Sequence, residues 1–493
     1  MIRISNLKML CVVVAAVSVF YVATASLQAQ VTGGTISGTV TDTTGKVVAN
    51  VRISFANVET GLSREVTTND EGFYSAPNLL AGTYNVNFTA PGFKTEAKSG
   101  ITLTVAASVT LDQTLRVGSI TETVSVRSEV PAVQTSSSDI SAVVNATTVR
   151  ELPLNGRSWT DLAELQPGVN AIHTQPDFSA GTDRGNRGFG QQLTISGARP
   201  QQNNYRLDGV SLNDYANGAP GSVLGGNLGV DAIQEFSVIT ANYSADYGKT
   251  SGGVVNAITR SGTNQIHGSA YEFLRNSKLD AKNYFDTGTI PPFKRNQFGG
   301  TLGGPIQKDG TFFFADFEAI RQSKGITTVA TVPSANARAG ILISGNVTVD
   351  PNAAAYLTFW HLPDPGSPVL ANGDLGLYTF AGQQVVNENF LTARVDHNFS
   401  SKDSLFGTYM FDRTPYSSPD GLNNVQFDTL TSRQFLAIEE THIFTPSFAN
   451  SIRIGGNHEA VNNNQSLKAI NPDAARTDLG VGGSAFEIGR AHV

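Results

Sequence analysis

The second half of the chain, from about residue 265 onward, is built of segments in which apolar and polar side chains alternate. In one segment Phe313 and Phe317 fall on one side of an extended strand, whereas Asp316 and Glu318 fall on the other. Such a period of two predicts β-strands with one apolar and one polar face. No segment after residue 29 has the length and purity of a membrane-spanning helix, which needs about 20 apolar residues. The alternation itself fits a soluble sandwich as well as a barrel in a membrane.

The connections between these segments favour the barrel. A short turn such as Ser400 to Asp403 lies at one end of the predicted strands, and a long insertion from about Gln322 to Asn387 lies at the other. Unequal loops of this kind are typical of outer-membrane barrels. Charged residues make up 15% of the chain, below the roughly 25% of an ordinary soluble domain. We therefore expect a mainly β chain with an incomplete antiparallel transmembrane β-barrel over residues 264–486. The predicted barrel strands lie near residues 265–275, 296–306, 311–321, 389–399, 403–413, 433–444 and 447–458.

The first thirty residues indicate export. Arg3 and Lys8 precede an apolar run at residues 9–22, and small residues follow it. This arrangement predicts a secretory signal peptide over residues 1–29. The single cysteine, Cys11, lies inside the run, so the mature chain is expected to have neither a disulfide nor a thiolate metal site. The net charge of −7 argues against a nucleic-acid partner.

Residues 34–116 consist of short segments separated by turns. Ile53 and Phe55 alternate with polar residues, and Asn69 to Gly72 supplies residues that tolerate a tight turn. A small antiparallel β-sandwich is predicted, because one face of each strand would be buried. The expected strands are residues 35–42, 48–56, 63–68, 82–88 and 101–115.

Residues 117–263 combine helical and extended segments, which predicts a small α/β domain. Ser158 to Asp161 has the form of a helix cap, and Pro167 with Gly168 ends the short helix. Glycine-rich stretches at residues 181–190 and 217–229 are expected to be surface loops. The predicted strands are residues 193–196, 204–207, 233–239 and 253–259.

Several stretches resemble known domains. Ile195 to Pro200 and Tyr205 to Val210 resemble the plug domain of TonB-dependent outer-membrane receptors, and Ser251 to Asn264 resembles the passage from plug to first barrel strand. The turn sequences Asn69 to Tyr74 and Leu79 to Tyr84 resemble the carboxypeptidase regulatory-like domain, a transthyretin-like sandwich. The order of sandwich, plug and barrel resembles the Oar-like branch of these receptors over nearly the whole mature chain.

The resemblance implies energised import across the outer membrane of a Gram-negative cell. A ligand would bind outside, and a TonB-type energy-transducing protein would pull on a short extended segment before the plug by adding it to its own sheet. The alternative is that this segment is only the last strand or linker of the sandwich. The candidate residues are Thr121, Glu122, Thr123, Val124, Ser125 and Val126.

The remaining candidate residues lie in the glycine-rich loops and in a turn of the predicted plug. Arg184, Arg187 and Asn217 lie in the glycine-rich loops and are candidates for ligand contact, with ordinary solvated loop residues as the alternative. Asp208 and Gly209 are predicted to form a structural turn in the plug. Outer-membrane lipid is the expected surrounding of the barrel. The ligand class stays open among siderophores, sugars, peptides and cobalamin.

The sequence shows no catalytic constellation. The seven histidines match neither zinc-helix nor metalloprotease spacing, and Asp70 with Glu71 is expected to be a solvated turn. The glycine cluster at residues 299–304 matches no phosphate-binding loop. We therefore predict that the chain is not an enzyme and has no catalytic residue, metal or cofactor.

Two further expectations concern how much of a barrel the chain contains and which alternative function fits the sequence. Receptors of the resembled family have about 22 barrel strands, so the chain is expected to be an N-terminal fragment whose open sheet leaves strand edges unpaired in lipid. The stretch Glu487 to Val493 is expected to be an artefactual terminus. The alternative function is a secreted or cell-surface adhesive or scaffold protein built of β-sandwiches.

Overall fold

A computed structural model describes residues 33–105, 107–118, 123–127, 140–151, 157, 160–174, 190–213, 229–243, 247–248, 250–282, 290–445, 448–462 and 468–476. The predicted signal peptide and the predicted artefactual terminus lie outside the described residues. Among the helices that are described, none is long and apolar enough to cross a membrane.

The N-terminal domain is a sandwich of two β-sheets, as predicted. Its strands are β1 (Gly34–Asp42), β2 (Arg52–Asn57), β3 (Ser63–Thr67), β4 (Phe73–Leu79), β5 (Gly82–Thr89), β6 (Thr95–Leu103), β7 (Ser108–Thr110), β8 (Gln113–Leu115) and β9 (Thr123–Arg127). One sheet has the order β4-β1-β7, with β8 also paired to β1, and the other has the order β3-β2-β5-β6-β9. Ile53, Phe55, Val86 and Phe88 alternate with more exposed residues and are fully buried between the sheets.

Two details of the sandwich differ from the prediction. Phe73–Leu79 forms a strand, although no strand was predicted between the turn at Asn69 to Gly72 and the strand at residues 82–88. The single strand expected over residues 101–115 is divided into the end of β6, then β7 and β8. The chain turns in between, where the Ala107 amide donates to the Thr104 carbonyl at 3.1 Å.

The predicted plug domain is a five-stranded sheet with short helices and a separate hairpin. Its elements are β10 (Ile140–Asn145), α1 (Ala146–Glu151), α2 (Thr160–Ala163), β11 (Val169–Thr174), β12 (Gly190–Ile195), β13 (Asn204–Leu207), β14 (Val210–Ser211), β15 (Ile233–Ala241) and β16 (Val254–Thr259). The sheet order is β10-β15-β16-β13-β14, and β11 pairs with β12. Every residue of β13 and β16 is buried, because these central strands are covered on both faces.

The third domain is a long-stranded antiparallel sheet, hereafter the barrel wall. Its elements are β17 (His267–Asn276), β18 (Phe293–Gln307), β19 (Thr311–Pro333), α3 (Ala335–Arg338), β20 (Ile341–Leu342), β21 (Gly345–Asn346), α4 (Pro351–Leu357), β22 (Leu375–Asn398), β23 (Asp403–Pro419), β24 (Val425–Thr445), β25 (Phe448–Asn462) and β26 (Lys468–Ala469). The wall runs in sequence order β17-β18-β19-β22-β23-β24-β25, and β26 pairs with β24. A strand is present at each of the predicted positions, and the fold class is confirmed.

The two faces of the wall have opposite character. Phe317, Leu391 and Ile454 are exposed on the outer face, as expected for side chains that meet lipid. Asp316 and Glu318, on the inner face, are 1% and 4% exposed. Near one end of the wall, the rings of Phe444 and Phe448 stack with centroids 5.0 Å apart.

The long insertion is shorter than expected. Strands β19 and β22 stay paired from Thr311 opposite His397 to Pro333 opposite Leu375. The connection is therefore residues 334–374, and it contains α3, α4 and the β20–β21 hairpin. The turns at residues 308–310 and 399–402 lie at the opposite end of the wall and form what we call the short-turn rim.

Candidate functional site between plug and barrel wall

An apolar layer joins the plug domain to the inner face of the wall. The wall side chains Phe390, Met410 and Phe435 belong to the same buried cluster as the plug residues Leu207 and Phe236. Each of these five side chains is at most 3% exposed. Polar contacts next to this layer are therefore shielded from water and interact more strongly than they would at a surface.

The turn between β13 and β14 carries the first polar contact. Asp208 adopts φ 44° and Gly209 φ 78°, both in the left-handed region. The Asp208 carboxylate accepts hydrogen bonds from the Thr259 amide at 3.0 Å and the Thr259 hydroxyl at 2.7 Å, which ties the turn to the end of β16. The turn thus holds a fully buried carboxylate at the edge of the plug.

Arg394 of the wall reaches this carboxylate. Its Nη1 lies 3.4 Å from Asp208 Oδ1, and its Nη2 lies 2.7 Å from Oδ1 of Asp396 on the same strand. The Arg394 side chain is 3% exposed. A buried cation that bridges two carboxylates is costly to break, because one partner is then left charged and unpaired, at about 3–5 kcal/mol.

Arg157 of the plug makes a second ionic contact. Its guanidinium pairs with Asp231 of the plug and lies 3.7 Å, measured from Nε, from Glu318 Oε2 of the wall. The guanidinium also lies over the Tyr271 ring at 4.4 Å and the Phe273 ring at 4.8 Å. The Tyr271 hydroxyl donates to Glu318 Oε2 at 2.6 Å, so the acceptor is itself held in place.

Gly209 allows a third close approach. A Cβ at this position would collide with Nη1 of Arg453 on β25. Arg453 in turn pairs with Glu439 of β24, to which its Nε donates at 2.8 Å. The absence of a side chain at Gly209 therefore lets the plug turn pack against a fixed wall cation.

The sandwich contacts the same assembly from the short-turn rim. The Asn264 side chain donates to the Thr60 carbonyl at 2.6 Å and to Asp309 at 2.7 Å. The Asn78 side chain donates to the Thr441 hydroxyl at 2.9 Å. These contacts place the sandwich at the end of the wall opposite the long insertion.

One carboxyl links the sandwich to the plug. The Val105 amide, in the loop after β6, donates to Oε1 of Glu235 on β15. Burial raises the pKa of Glu235 to about 7, and the hydrogen bond from Val105 offsets part of that rise. The contact therefore joins the two domains through a group that titrates near neutral pH.

The structure places the predicted site residues as follows. Thr123, Val124, Ser125 and Val126 lie in β9 at the edge of the sandwich. Asp208 and Gly209 form the turn already described. The remaining candidates, Thr121, Glu122, Arg184, Arg187 and Asn217, lie outside the described residues.

The ionic contacts between plug and wall could not be predicted from the sequence. Period two placed Glu318 on the polar face of its strand, but no local pattern paired Glu318 with Arg157 or Arg394 with Asp208. The one available signal was that charges occupy inward positions of strands whose outward positions are apolar.

One group of side chains in the described part of the chain has the spacing of a metal site. Candidate ligand atoms of Asp403, Glu440 and His442 lie within 4.8 Å of one another, each partly exposed. His442 Nδ1 already contacts the Asp403 carboxylate. We interpret the group as a surface ion pair with a neighbouring carboxylate, since it lies apart from the plug contacts.

Family models match three consecutive parts of the chain. A carboxypeptidase regulatory-like domain matches residues 35–116, a TonB-dependent receptor plug domain matches residues 132–255, and an outer membrane beta barrel domain matches residues 258–491. The chain belongs to the TonB-dependent receptors. The resemblance noted in the sequence is confirmed, and the receptor family with its barrel domain indicates the outer membrane of a Gram-negative cell.

Curated relatives of this receptor carry related descriptions. The TonB-dependent transporter Oar of Myxococcus xanthus is 29% identical over 299 residues, which is 57% of this chain and 26% of the relative. The probable TonB-dependent siderophore receptor PirA of Acinetobacter baumannii is 28% identical over 176 residues, which is 34% of this chain and 21% of the relative. The chain thus spans about a quarter of the length of the curated relatives it matches.

Solved structures of outer-membrane proteins are also similar to this receptor. The outer membrane transporter YddB of Escherichia coli has a TM-score of 0.43 and 14% identity, over 66% of this chain and 40% of that one. The siderophore receptor PirA of Acinetobacter baumannii has a TM-score of 0.36 and 17% identity, over 65% and 44%.

Proposed function

We propose that this receptor binds a ligand outside the cell and imports it by energy-coupled displacement of the plug. Its partners are a TonB-type energy-transducing protein on the inner side and an extracellular ligand on the outer side. Outer-membrane lipid surrounds the apolar outer face of the wall. The glycine-rich loop residues Arg184, Arg187 and Asn217 are proposed to contact the ligand.

The observation that carries this proposal is the way the plug is attached to the wall. Asp208 meets Arg394, and Arg157 meets Glu318, in buried ionic contacts. Such contacts hold the plug firmly at rest, because each broken pair leaves a buried charge. They are also non-covalent and reform without chemistry, so mechanical work supplied from inside can open them reversibly.

The segment Thr121 to Val126 is proposed to receive that work. It includes most of β9, the last strand of the sandwich, and it precedes the plug in the chain. Its β-branched residues favour an extended strand. The sandwich contacts the short-turn rim of the wall, through Asn264 and Asn78. In outer-membrane barrels the short turns face the periplasm, where an inner-membrane partner would operate.

Deletion of residues 121–126 in the complete receptor tests the proposal. Ligand binding at the cell surface should persist while ligand uptake is lost. A variant with six Gly and Ser residues in place of the segment keeps the spacing and should behave like the deletion. Uptake at the normal rate in both variants would remove this segment from the mechanism.

A further inference from the structure

Asp316 is a buried wall carboxylate that the contacts between plug and wall leave unused. Its side chain is 1% exposed, and neither carboxylate oxygen has a hydrogen-bond partner among the described residues. A Cβ at Gly229 of the plug would collide with Asp316 Oδ2, so the plug backbone covers this carboxylate. A buried polar group without a partner costs free energy. The reason for keeping it must therefore lie outside the resting contacts.

The next inward position on the same strand holds the acceptor that is in use. Glu318 lies two residues after Asp316 on β19, and its Oε2 is 3.7 Å from Nε of Arg157 of the plug. Alternate residues of a strand share a face, so the two acidic positions are about 7 Å apart along the wall. Strand β19 begins at Thr311, next to the short-turn rim. Asp316 is therefore the acidic residue nearer the rim.

The two plug cations near Asp316 lie on opposite sides of it. Arg157 and Arg260 both act electrostatically on Asp316. Arg157 contacts Glu318, on the side of Asp316 away from the rim. Arg260 lies over the Phe314 ring at 5.3 Å, on the side of Asp316 toward the rim. A plug drawn toward the rim therefore brings Arg157 to Asp316 and carries Arg260 away from it.

We propose that Asp316 is a second acceptor for Arg157, and that Arg157 passes from Glu318 to Asp316 when the plug is drawn toward the short-turn rim. This inference rests on the proposed function and names a positioning residue for plug displacement. The buried cation meets a wall carboxylate in both positions. The first step of displacement thus exchanges one buried ion pair for another, instead of leaving a buried charge unpaired.

The groups that Arg157 leaves and keeps support this exchange. Glu318 accepts from the Tyr271 hydroxyl at 2.6 Å and from the Gln297 amide at 2.7 Å. Both donors belong to the wall, so Glu318 keeps them when the plug moves. Asp231 belongs to the plug and travels with Arg157. After the exchange, each charged group of this set has a partner.

Release of the plug under a constant pulling force tests the proposal without a ligand. The complete receptor is reconstituted in a lipid bilayer and pulled through a cysteine handle, Arg127→Cys, at the end of β9. The substitution D316N removes the charge but no hydrogen bond, and we expect it to shorten the mean time to plug release about tenfold. Hydrogen exchange of the amides at residues 230–236 without force should stay within about twofold of the receptor that carries the handle alone.

E318Q is the matched variant at the resting acceptor, and it should speed both release under force and hydrogen exchange at rest. The conservative variant D316E keeps a carboxylate and should release more slowly than D316N. Release from D316N at the unsubstituted rate, or more slowly, would overturn the proposal, because Asp316 would then be an idle buried charge. Resting exchange as fast in D316N as in E318Q would also overturn it, since Asp316 would then act in the resting contact. The proposed function is tested separately, by uptake after deletion of residues 121–126.

Discussion

Gly209 is constrained by its left-handed backbone and by the Arg453 guanidinium next to it. The two constraints can be separated by experiment. The φ of 78° at Gly209 disfavours any L side chain, and a Cβ there would collide with the Arg453 guanidinium. Arg453 has little freedom to move away, because Glu439 holds it through two nitrogens. The substitution Gly209→Ala should therefore weaken the plug–wall contact in addition to straining the turn.

Gly197 provides the matched control for this prediction. It also has φ 78°, but a Cβ there would meet nothing within 4 Å. We expect Gly197→Ala to cost only the backbone strain, about 1 kcal/mol, and Gly209→Ala to cost about 1–3 kcal/mol more. The measurement is hydrogen exchange of the β13 and β14 amides. Equal protection in the two variants would show that Arg453 accommodates the methyl group.

The raised pKa of Glu235, at the junction between sandwich and plug, predicts that the free energy of unfolding depends on pH. Its folded-state pKa of about 7 lies above the ordinary value of 4.5, so the folded protein binds the proton more tightly than the unfolded chain does. The stabilisation from this group is complete below about pH 4.5 and is lost as the pH rises to about 7. The total is on the order of 3 kcal/mol.

The neutral variant Glu235→Gln isolates this contribution, because its amide oxygen still accepts from the Val105 amide. Between pH 5 and pH 8, the free energy of unfolding of the native protein should fall relative to that of the variant. The measurement is a pair of urea titrations of the purified receptor at each pH. Parallel pH profiles for the two proteins would contradict the prediction.

Strand β24 shows why some strands are harder to predict from their sequence than others. Residues 435–444 alternate poorly, since Phe435 and Ala437 face inward and are buried against the plug core. The inner face is apolar there because the plug covers it. Alternation predicts a strand well only where its two faces meet different surroundings, and the surroundings of β24 become known only with the plug in place.

The charged side chains on the inner face of the wall also show what a local sequence pattern can predict. Period two assigned Glu318 to the polar face of its strand, and the structure places Glu318 and Arg394 on the inner face of the wall. Their partners Arg157 and Asp208 are more than 150 positions away from them in the chain, and no local pattern connects them. Local periodicity thus predicts which way a side chain points, whereas the contact depends on the docking of two domains.

For the molecule as a whole, the order of sandwich, plug and wall could be predicted from the apolar and polar patterning, from turn chemistry and from the resemblance to known domains. The mutual arrangement could not, because it depends on a few side chains. Asn264 ties the sandwich to the rim, Val105 and Glu235 tie it to the plug, and Arg394 ties the plug to the wall. Pulling on β9 therefore loads an assembly in which all three domains are in contact.

Whether the plug must move away from the wall can be tested by tethering the two. The hydroxyl oxygens of Thr259 on β16 and Thr408 on β23 lie 3.3 Å apart in a buried position. Cysteines at both sites should form a disulfide, and the only natural cysteine, Cys11, lies in the predicted signal peptide. In the complete receptor the oxidised double variant should bind ligand but lose uptake, and a reductant should restore uptake.

The single variant Thr259→Cys, which also loses the hydroxyl bonded to Asp208, should transport in both redox states. Transport by the oxidised double variant would mean that the ligand passes while β16 remains fixed to β23, through a local rearrangement of the plug.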